Sequence, residues 1–419
     1  MRPDFDVVIV GGGLVGACFA ALAASDRELS RLKIALLEAR PPTQPPDDTS
    51  VDIRGSAISR ASMRIFDTCD AWQSLPPQFV SAYTEMIVWD ATARPGSAGS
   101  LHFSAADTGE PDLGHIVENR RLQWSLYNTP AFRSRVTLLR AELTALDLEG
   151  ELVSVTLADG RTLTAGLIVG ADGANSTSRK LAGIETGGWD YVQHAFVTHL
   201  TTEHSHRQTA WQRFLPQGPL AFLPLADGRS SIVWTTTPEH AQQLVDGEPE
   251  SVAAEIGAAM DGVFGNIAIS APRVQFPLRA GFARDYCKQR FVLVGDAAHS
   301  VHPLAGQGVN LGFMDCAALV DILATELTAG AKPIDIGERR VLRRYERWRK
   351  SENTLALGAI DGINRLFSNS SPTLTWMRRI GLSTVNRSAL ARKVLMGRAM
   401  GTAGEIPAGA RPKFLTHRR

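Results

Sequence analysis

The chain opens on Phe5-Asp6-Val7-Val8-Ile9-Val10-Gly11-Gly12-Gly13-Leu14-Val15-Gly16-Ala17-Cys18-Phe19-Ala20 and reaches Glu38 directly after a second apolar run, Lys33–Leu37. Phe5–Val10 reads as a strand, Gly11–Gly16 as a tight turn, Ala17–Ala24 as an Ala-rich helix and Lys33–Leu37 as a second strand, a βαβ opening. Gly11, Gly13 and Gly16 satisfy G-x-G-x-x-G between that strand and that helix. The first glycine allows the tight turn, the second lets backbone approach a pyrophosphate, and the third lets the helix pack on the strand. The helix N-terminus then offers its unpaired N–H groups to the phosphates. Glu38 lies 22 residues past Gly16, where an acid accepts hydrogen bonds from adenosine ribose hydroxyls. The stretch predicts a dinucleotide site; the motif alone does not separate FAD from NAD.

The whole chain has 419 residues, enough for two or three domains. It is 44% hydrophobic and 21% charged, a composition that builds a core and excludes wholesale disorder. Its four cysteines, Cys18, Cys69, Cys287 and Cys316, form no CxxC pair, which excludes a disulfide scaffold or zinc ribbon and fits a reducing cytoplasm. Val7–Ala24 is uncharged for 18 residues, long enough to suggest a membrane span. Asp4 and Asp6 stand where a signal peptide carries Lys or Arg, and glycines interrupt the run, so neither a span nor a signal is expected. The net charge of +1 hides an asymmetry: residues 338–419 hold 18 basic against 5 acidic side chains, a net +13, leaving −12 on the rest. Such a basic end faces lipid head groups, nucleic acid or an acidic protein.

Pro41–Asp48 is too Pro-rich for regular structure and reads as a surface loop. Residues 186–284 hold short strand-like segments at 194–200, 210–215, 219–225, 230–236 and 272–278, separated by turn signals such as Pro216-Gln217-Gly218 and Asp227-Gly228. They predict a mainly antiparallel sheet inserted between parts of an α/β domain. A strand returns near residues 291–295, and after Lys332-Pro333 the chain turns helical and basic.

Two further motifs follow strands. Gly170-Ala171-Asp172-Gly173-Ala174-Asn175-Ser176, closing with Arg179, comes after Leu167–Val169; Asp-Gly there also suits an ordinary turn. Gly295-Asp296-Ala297-Ala298-His299-Ser300-Val301-His302-Pro303-Leu304-Ala305-Gly306-Gln307-Gly308-Val309-Asn310 is the longest, with Asp315 beyond it. Asp296 at a strand end can accept bonds from polyol hydroxyls. Gly306 and Gly308 free the backbone to approach a ligand, and the following helix points its positive end at that ligand.

In this order and spacing the three motifs resemble those of the single-component FAD aromatic hydroxylases, the p-hydroxybenzoate-hydroxylase-like group A flavoprotein monooxygenases. Finer features resemble the ubiquinone-biosynthesis (UbiH/VisC-type) branch: Asp52-Ile53-Arg54 with Ala57 and Ser59, Ile116-Val117-Glu118-Asn119-Arg120 with Gln123, Gln212-Arg213-Phe214, Gly218–Leu225, and Tyr345-Glu346 with Arg349. The resemblance spans about residues 5 to 395. It implies an α/β fold: a Rossmann-like FAD-binding domain over 1–75, 101–185 and 285–335, an antiparallel substrate-binding sheet over 76–100 and 186–284, and a basic C-terminal helical region over 336–419.

Carried onto this chain, the resemblance gives Gly11, Gly13, Gly16 and Glu38 the ADP half of FAD, and Arg54 and Arg120 the pyrophosphate and ribityl region. Asp172 and Gly173 would serve both FAD and the reduced nicotinamide, and Asp296 the ribityl chain. Gly306, Gln307, Gly308 and Val309 would line the isoalloxazine, with Pro303 where flavin meets substrate. The implied reaction hydroxylates a polyprenyl phenol of ubiquinone synthesis through a flavin C4a-hydroperoxide, with O2 and NAD(P)H as co-substrates. A soluble aromatic substrate, a reductase without oxygen transfer and a non-catalytic flavoprotein scaffold are the alternatives. Because the cofactor performs the hard step, the site is expected to be apolar and without a strong general base. His299 and His302 are accordingly assigned positional roles beside the flavin. His204-Ser205-His206 lacks a third ligand nearby and is not read as a metal site, and Cys18 is read as core.

Leu374, Met377, Ile380, Val385, Leu390 and Val394 recur at roughly helical spacing among Arg378, Arg379, Arg387, Arg392 and Lys393. This stripe reads as a charged face of a helix packing on the FAD domain, as a surface for anionic lipid, or as an interface with a biosynthetic complex. No nucleic-acid module is recognisable. The expected location is the cytoplasm, peripheral on the inner membrane.

Overall fold

The computed structural model describes residues 2–46, 51–300, 307–329, 335–367, 381, 383–386 and 388–412. Phe5–Val10 forms the centre of an eight-stranded sheet, and its buried residues Val7–Val10 are apolar on both faces, as a strand covered on two sides requires. It pairs in parallel with Ile34–Leu37 on one side and Thr162–Gly170 on the other; Val136–Leu139 and Phe291–Leu293 extend the parallel array outward. Val153–Leu157 and Leu143–Asp147 form an antiparallel meander that branches off the start of Thr162–Gly170.

The uncharged run from Val7 divides between this central strand and helix Leu14–Ser25, where Val8, Ile9, Cys18 and Phe19 are all fully buried. The helix begins at Leu14, three residues before its expected start, because only Gly11–Gly13 are needed to turn the chain. Helix Gln307–Thr328 is long and apolar enough to cross a membrane. Here it packs against Leu14–Ser25 and Arg339–Phe367, with Phe313, Cys316, Leu319 and Leu323 fully buried, as the core helix of a folded domain. All four cysteines are buried free thiols.

The second sheet has nine strands and is antiparallel except where Thr209–Leu215 runs parallel to Glu85–Asp90. The strand expected at 194–200 runs over Thr186–Thr202, with its register shifting between Asp190 and His194. Val192 sits in that irregularity at φ 53°, a strained conformation for a β-branched residue. Ser100–Ser104 closes one edge of this sheet on Glu85–Asp90. Two helices, Pro238–Asp246 and Pro249–Ala259, cover its outer face, burying Leu244, Val252 and Ile256 against Phe196, Phe222 and Trp234. Both start with Pro in the first turn, and Thr237 caps the first by accepting from the His240 N–H. A third, three-stranded sheet of Gly55–Ser59, Gly114–Glu118 and Val80–Tyr83 stands between the two large ones.

The chain crosses between the two large sheets more than once, and one crossing runs through the third motif. Phe291–Leu293 pairs in the first sheet, while His299 and Ser300, a few residues on, pair with Phe282 and Gly281 in the second. The third motif therefore forms a seam between them.

Candidate active site

Val10, Gly170 and Leu293 lie side by side in register at the carboxyl ends of three adjacent parallel strands. Each is followed by one of the three glycine-bearing motifs, so segments about 120 to 160 residues apart converge on one crevice, the location where open parallel sheets bind ligands. At the first motif Gly11 has φ +98°, and a Cβ there would stand 2.7 Å from the Ala171 carbonyl oxygen. At Gly16 it would stand 1.9 Å from the Gly11 oxygen. These two glycines are dictated by the chain's own packing. A Cβ at Gly13 or Gly173 would meet nothing within 4 Å, and both face the open cleft, although Gly173, at φ +80°, is also favoured by its own backbone.

Glu38 reaches back to the turn, its Oε2 accepting from the Gly12 N–H at 2.8 Å and its Oε1 from the Arg40 N–H at 2.8 Å. The Gly12 carbonyl accepts from Gln123 Nε2 at 2.7 Å and from the Tyr127 hydroxyl at 2.9 Å. Nothing local in the sequence marks Tyr127, 115 residues downstream of the glycine it holds.

Asp172 organises its own loop. One carboxylate oxygen accepts from the Ser176 and Ser178 hydroxyls and the other from the Ser178 N–H at 2.8 Å, at the N-terminus of helix Thr177–Leu181. Arg179 donates to the carbonyls of Ala174 and Ala297, tying the second motif to the third. Burial pulls the Arg179 pKa down, with the Asp172 charge opposing.

In the third motif Asp296 faces the cleft together with Ser300, Gly308 and Val309. Although Asp296 is exposed to the cleft, desolvation by the surrounding walls pushes its pKa up; His299 opposes and the Asp315 charge adds. His299 lies behind the cleft wall, 1% exposed, stacked on Tyr286 with ring centroids 6.0 Å apart. Its Nε2 meets Asp315 Oδ2 at 2.5 Å. Asp315 is fully buried and accepts in addition from the Gly295 N–H, Arg349 Nε and Asn353 Nδ2. Burial alone would raise its pKa, but His299 and Arg349 together hold it down at about 2. Around the same strand Tyr345 donates to the Leu293 carbonyl, and Glu346 accepts from the Tyr286 N–H. Tyr345 and Glu346 thus hold the strands leading into the third motif, and Arg349 reaches the motif itself through Asp315. Pro303, Gly306 and His302 lie outside the described residues. Gln307 opens helix Gln307–Thr328, whose first turn brings Gly308 and Val309 to the cleft.

Beside the glycine turn is a charged cluster. Glu118, 4% exposed, accepts from the Asp52 N–H, from Arg120 Nε at 2.6 Å and from Arg121 Nε at 2.8 Å. Arg54 lies over the Phe276 ring at 5.3 Å, and its N–H donates to Asp52. Asn310 locks helix Gln307–Thr328 onto strand Gly55–Ser59, accepting from the Ser59 N–H and donating to the Ala57 carbonyl.

The cleft opens into a cavity of about 540 Å³ running from Gly13, Gly173 and Asp296 to the inner face of the second sheet. There it is lined by Met86, Phe103, Gln212, Ala221, Leu223 and Val233, and on a third side by Leu395, Met396 and Met400. Its only titratable lining residues, among those described, are Asp296 and Tyr83. Burial and the Asp112 charge push the Tyr83 phenol up to about 12, so it stays neutral. The C-terminal contribution differs from the sequence reading: helix Ala389–Ala399 turns Met396 inward against the second-sheet side, and leaves Leu390 and Val394 exposed. Val385 packs near Val88, Leu101, Phe214 and Phe367, whereas Leu374, Met377 and Ile380 lie outside the described residues. His206 is buried, bonded to the Leu225 carbonyl and the Gln208 N–H, a structural histidine.

A glycine cradle at the carboxyl ends of parallel strands, an acid on the second strand and an aspartate facing an apolar chamber suit a dinucleotide whose ring end enters that chamber. The chain belongs to the FAD binding domain family, whose model matches residues 4–351, and it is an FAD-dependent monooxygenase. It is 33% identical over 397 residues to the 3-demethoxyubiquinol 3-hydroxylase of Escherichia coli (strain K12), covering 94% of this chain and 98% of that one. It is 37% identical over 406 residues to the ubiquinone hydroxylase UbiL of Rhodospirillum rubrum, covering 95% and 90%. With the human mitochondrial ubiquinone biosynthesis monooxygenase COQ6 it shares 35% over 438 residues, covering 94% and 92%. In fold it is similar to the p-nitrophenol 4-monooxygenase PnpA of Pseudomonas putida, with a TM-score of 0.77 at 15% identity over 97% of this chain and 100% of that one.

Proposed function

We propose that this monooxygenase hydroxylates the aromatic ring of a polyprenyl-phenol intermediate of ubiquinone synthesis, working cytoplasmically at the periphery of the inner membrane. The observation that carries the reading is the apolar cavity of about 540 Å³ between the glycine cradle and the second sheet, in which Asp296 and Tyr83 are the only titratable groups among the described lining residues. Relatives are named for hydroxylating 3-demethoxyubiquinol or ubiquinone, ring compounds with the chemistry that such a chamber accepts. Overall, one atom of O2 replaces a ring hydrogen as hydroxyl, the other leaves as water, and two electrons come from NAD(P)H.

FAD, when bound, supplies the oxygen activation. The chain's own residues bind, orient and keep water out. Gly11, Gly13, Gly16 and Glu38 hold the ADP half, Glu38 keeping a lone pair on each oxygen beyond its bonds to Gly12 and Arg40. Arg54 and Arg120 attend the pyrophosphate. Asp172 shapes the loop that would present Gly173 to cofactor and nicotinamide, and Asp296 would accept from the ribityl hydroxyls. Gln307, Gly308 and Val309 would present the helix N-terminus to the flavin ring, where its positive end would stabilise negative charge; the resemblance alone assigns Gly306 to the same wall and Pro303 to the meeting of ring and substrate. His299 acts from behind the wall by fixing the Asp296 loop. Phe103, Met86, Leu223 and Met396 exclude the water that would divert oxygen to H2O2.

The test is lipid analysis by mass spectrometry in cells lacking the gene. A polyprenyl phenol short of one oxygen should accumulate, and should clear with the wild-type gene but not with Asp296→Ala. Unchanged quinones without such an intermediate, in cells carrying no second hydroxylase, would move the substrate to a soluble aromatic.

A further inference from the structure

Helix Ala389–Ala399 has two unlike faces. Met396, with Met400 just beyond the helix end, is 3–4% exposed and packs with Ala105 and Leu113 beside the cavity. Leu390, Val394 and Leu395 are 74, 56 and 43% exposed. Leu395 belongs to both faces, since it also lines the cavity. A lone exposed leucine is ordinary, but an apolar stripe running from solvent to the mouth of an apolar chamber marks an interaction surface. The helix carries no acidic residue: Arg392, Lys393 and Arg398 are its charges. Arg392 faces Asp107 at 3.4 Å and Arg398 faces Glu352 at 3.1 Å, while Lys393 is exposed. The stretch from residue 338 onward holds the chain's net +13.

We propose that Leu390, Val394 and Leu395, flanked by Lys393, dock on an anionic lipid bilayer, so that the cavity opens directly onto the membrane. Apolar side chains inserted at the headgroup boundary with basic residues beside them are how interfacial helices bind anionic lipid. The volume favours such an opening. About 540 Å³ is the size of a site for one small-molecule ligand, and the flavin ring and the substrate's ring would share it, so a long polyprenyl tail would extend beyond it. The tail remains in the bilayer while the ring passes Leu395 and Met396. This surface rests on the proposed substrate class.

The test is co-sedimentation of the full-length, FAD-loaded protein with vesicles of phosphatidylcholine alone or with phosphatidylglycerol added. Binding is expected on the anionic vesicles and should weaken as salt rises. The double variant L390E/V394E should bind about tenfold more weakly or worse, with its FAD stoichiometry and melting temperature unchanged. K393E should lower both affinity and salt dependence. Equal vesicle binding by wild type and double variant, no binding by wild type, or a wild-type dimer in light scattering that the variant abolishes would each overturn the proposal. Vesicle binding without the accumulated phenol in cells would leave the surface standing and remove the substrate; the phenol without vesicle binding would do the reverse.

Discussion

Arg349 reaches from the C-terminal helix into the flavin domain, its Nε donating to Asp315 Oδ1 at 2.8 Å with both side chains almost wholly buried. Arg349 also donates to Asn353, which itself bonds Asp315, so the carboxylate is held by two residues of one helix. Through its other oxygen Asp315 holds Gly295 and His299, on either side of Asp296. A helix beginning at Arg339 thereby fixes the loop that faces the cleft.

Removing one partner of such a pair leaves an uncompensated buried charge. Asp315→Ala should destabilise the protein by about 3–5 kcal/mol, read from denaturant unfolding. FAD release should precede unfolding as denaturant rises, because Gly295 and His299 lose their anchor first. Simultaneous loss of FAD and fold would argue against a role for Asp315 in the loop.

Gly16 and Gly13 should behave oppositely. Gly16→Ala forces a Cβ onto the Gly11 oxygen and should cost the apoprotein about 1–3 kcal/mol, seen in its melting temperature. Gly13→Ala meets no protein atom, so the apoprotein should melt unchanged while FAD affinity, measured by fluorescence titration, falls about tenfold or more.

His199, 1% exposed with Nδ1 unpartnered among the described residues, should shape the acid limb of stability. Burial chiefly, then the Arg229 charge, lowers its pKa to about 4, against the partial opposition of Asp227, Glu118 and Asp52. The unfolded chain, with an ordinary histidine near pH 6.5, therefore takes up the proton first. Stability is full above that pH and declines as pH falls toward 4, by about 3 kcal/mol at most from this group. His199→Leu should flatten the melting temperature between these limits; an unaltered slope would assign the acid limb elsewhere.

Ala221 lines the chamber from strand Gly218–Pro224. Ala221→Trp should fill the substrate side, raising KM about tenfold or abolishing turnover, with FAD content unchanged by absorbance. Loss of FAD in this variant would place the flavin deeper toward the second sheet.

The sequence determined the flavin half of this protein because that half is written in local rules. A glycine whose Cβ would strike its own turn, an acid at the end of the next strand, and Asp-Gly or Gly-Asp after a strand each follow from constraints within a few residues. The strand, turn and helix of residues 5–38 were legible for the same reason, and so was the antiparallel character of residues 186–284. Only the tertiary structure decided which distant residues serve those turns. Tyr127 and Gln123 on the Gly12 carbonyl, Asn310 on Ala57 and Ser59, and Arg349 on Asp315 depend on strand order and helix docking, which no local spacing encodes. The inward and outward faces of Ala389–Ala399 were decided there too. A leucine or methionine at helical spacing reads alike in sequence, and the second sheet selects which of them it buries.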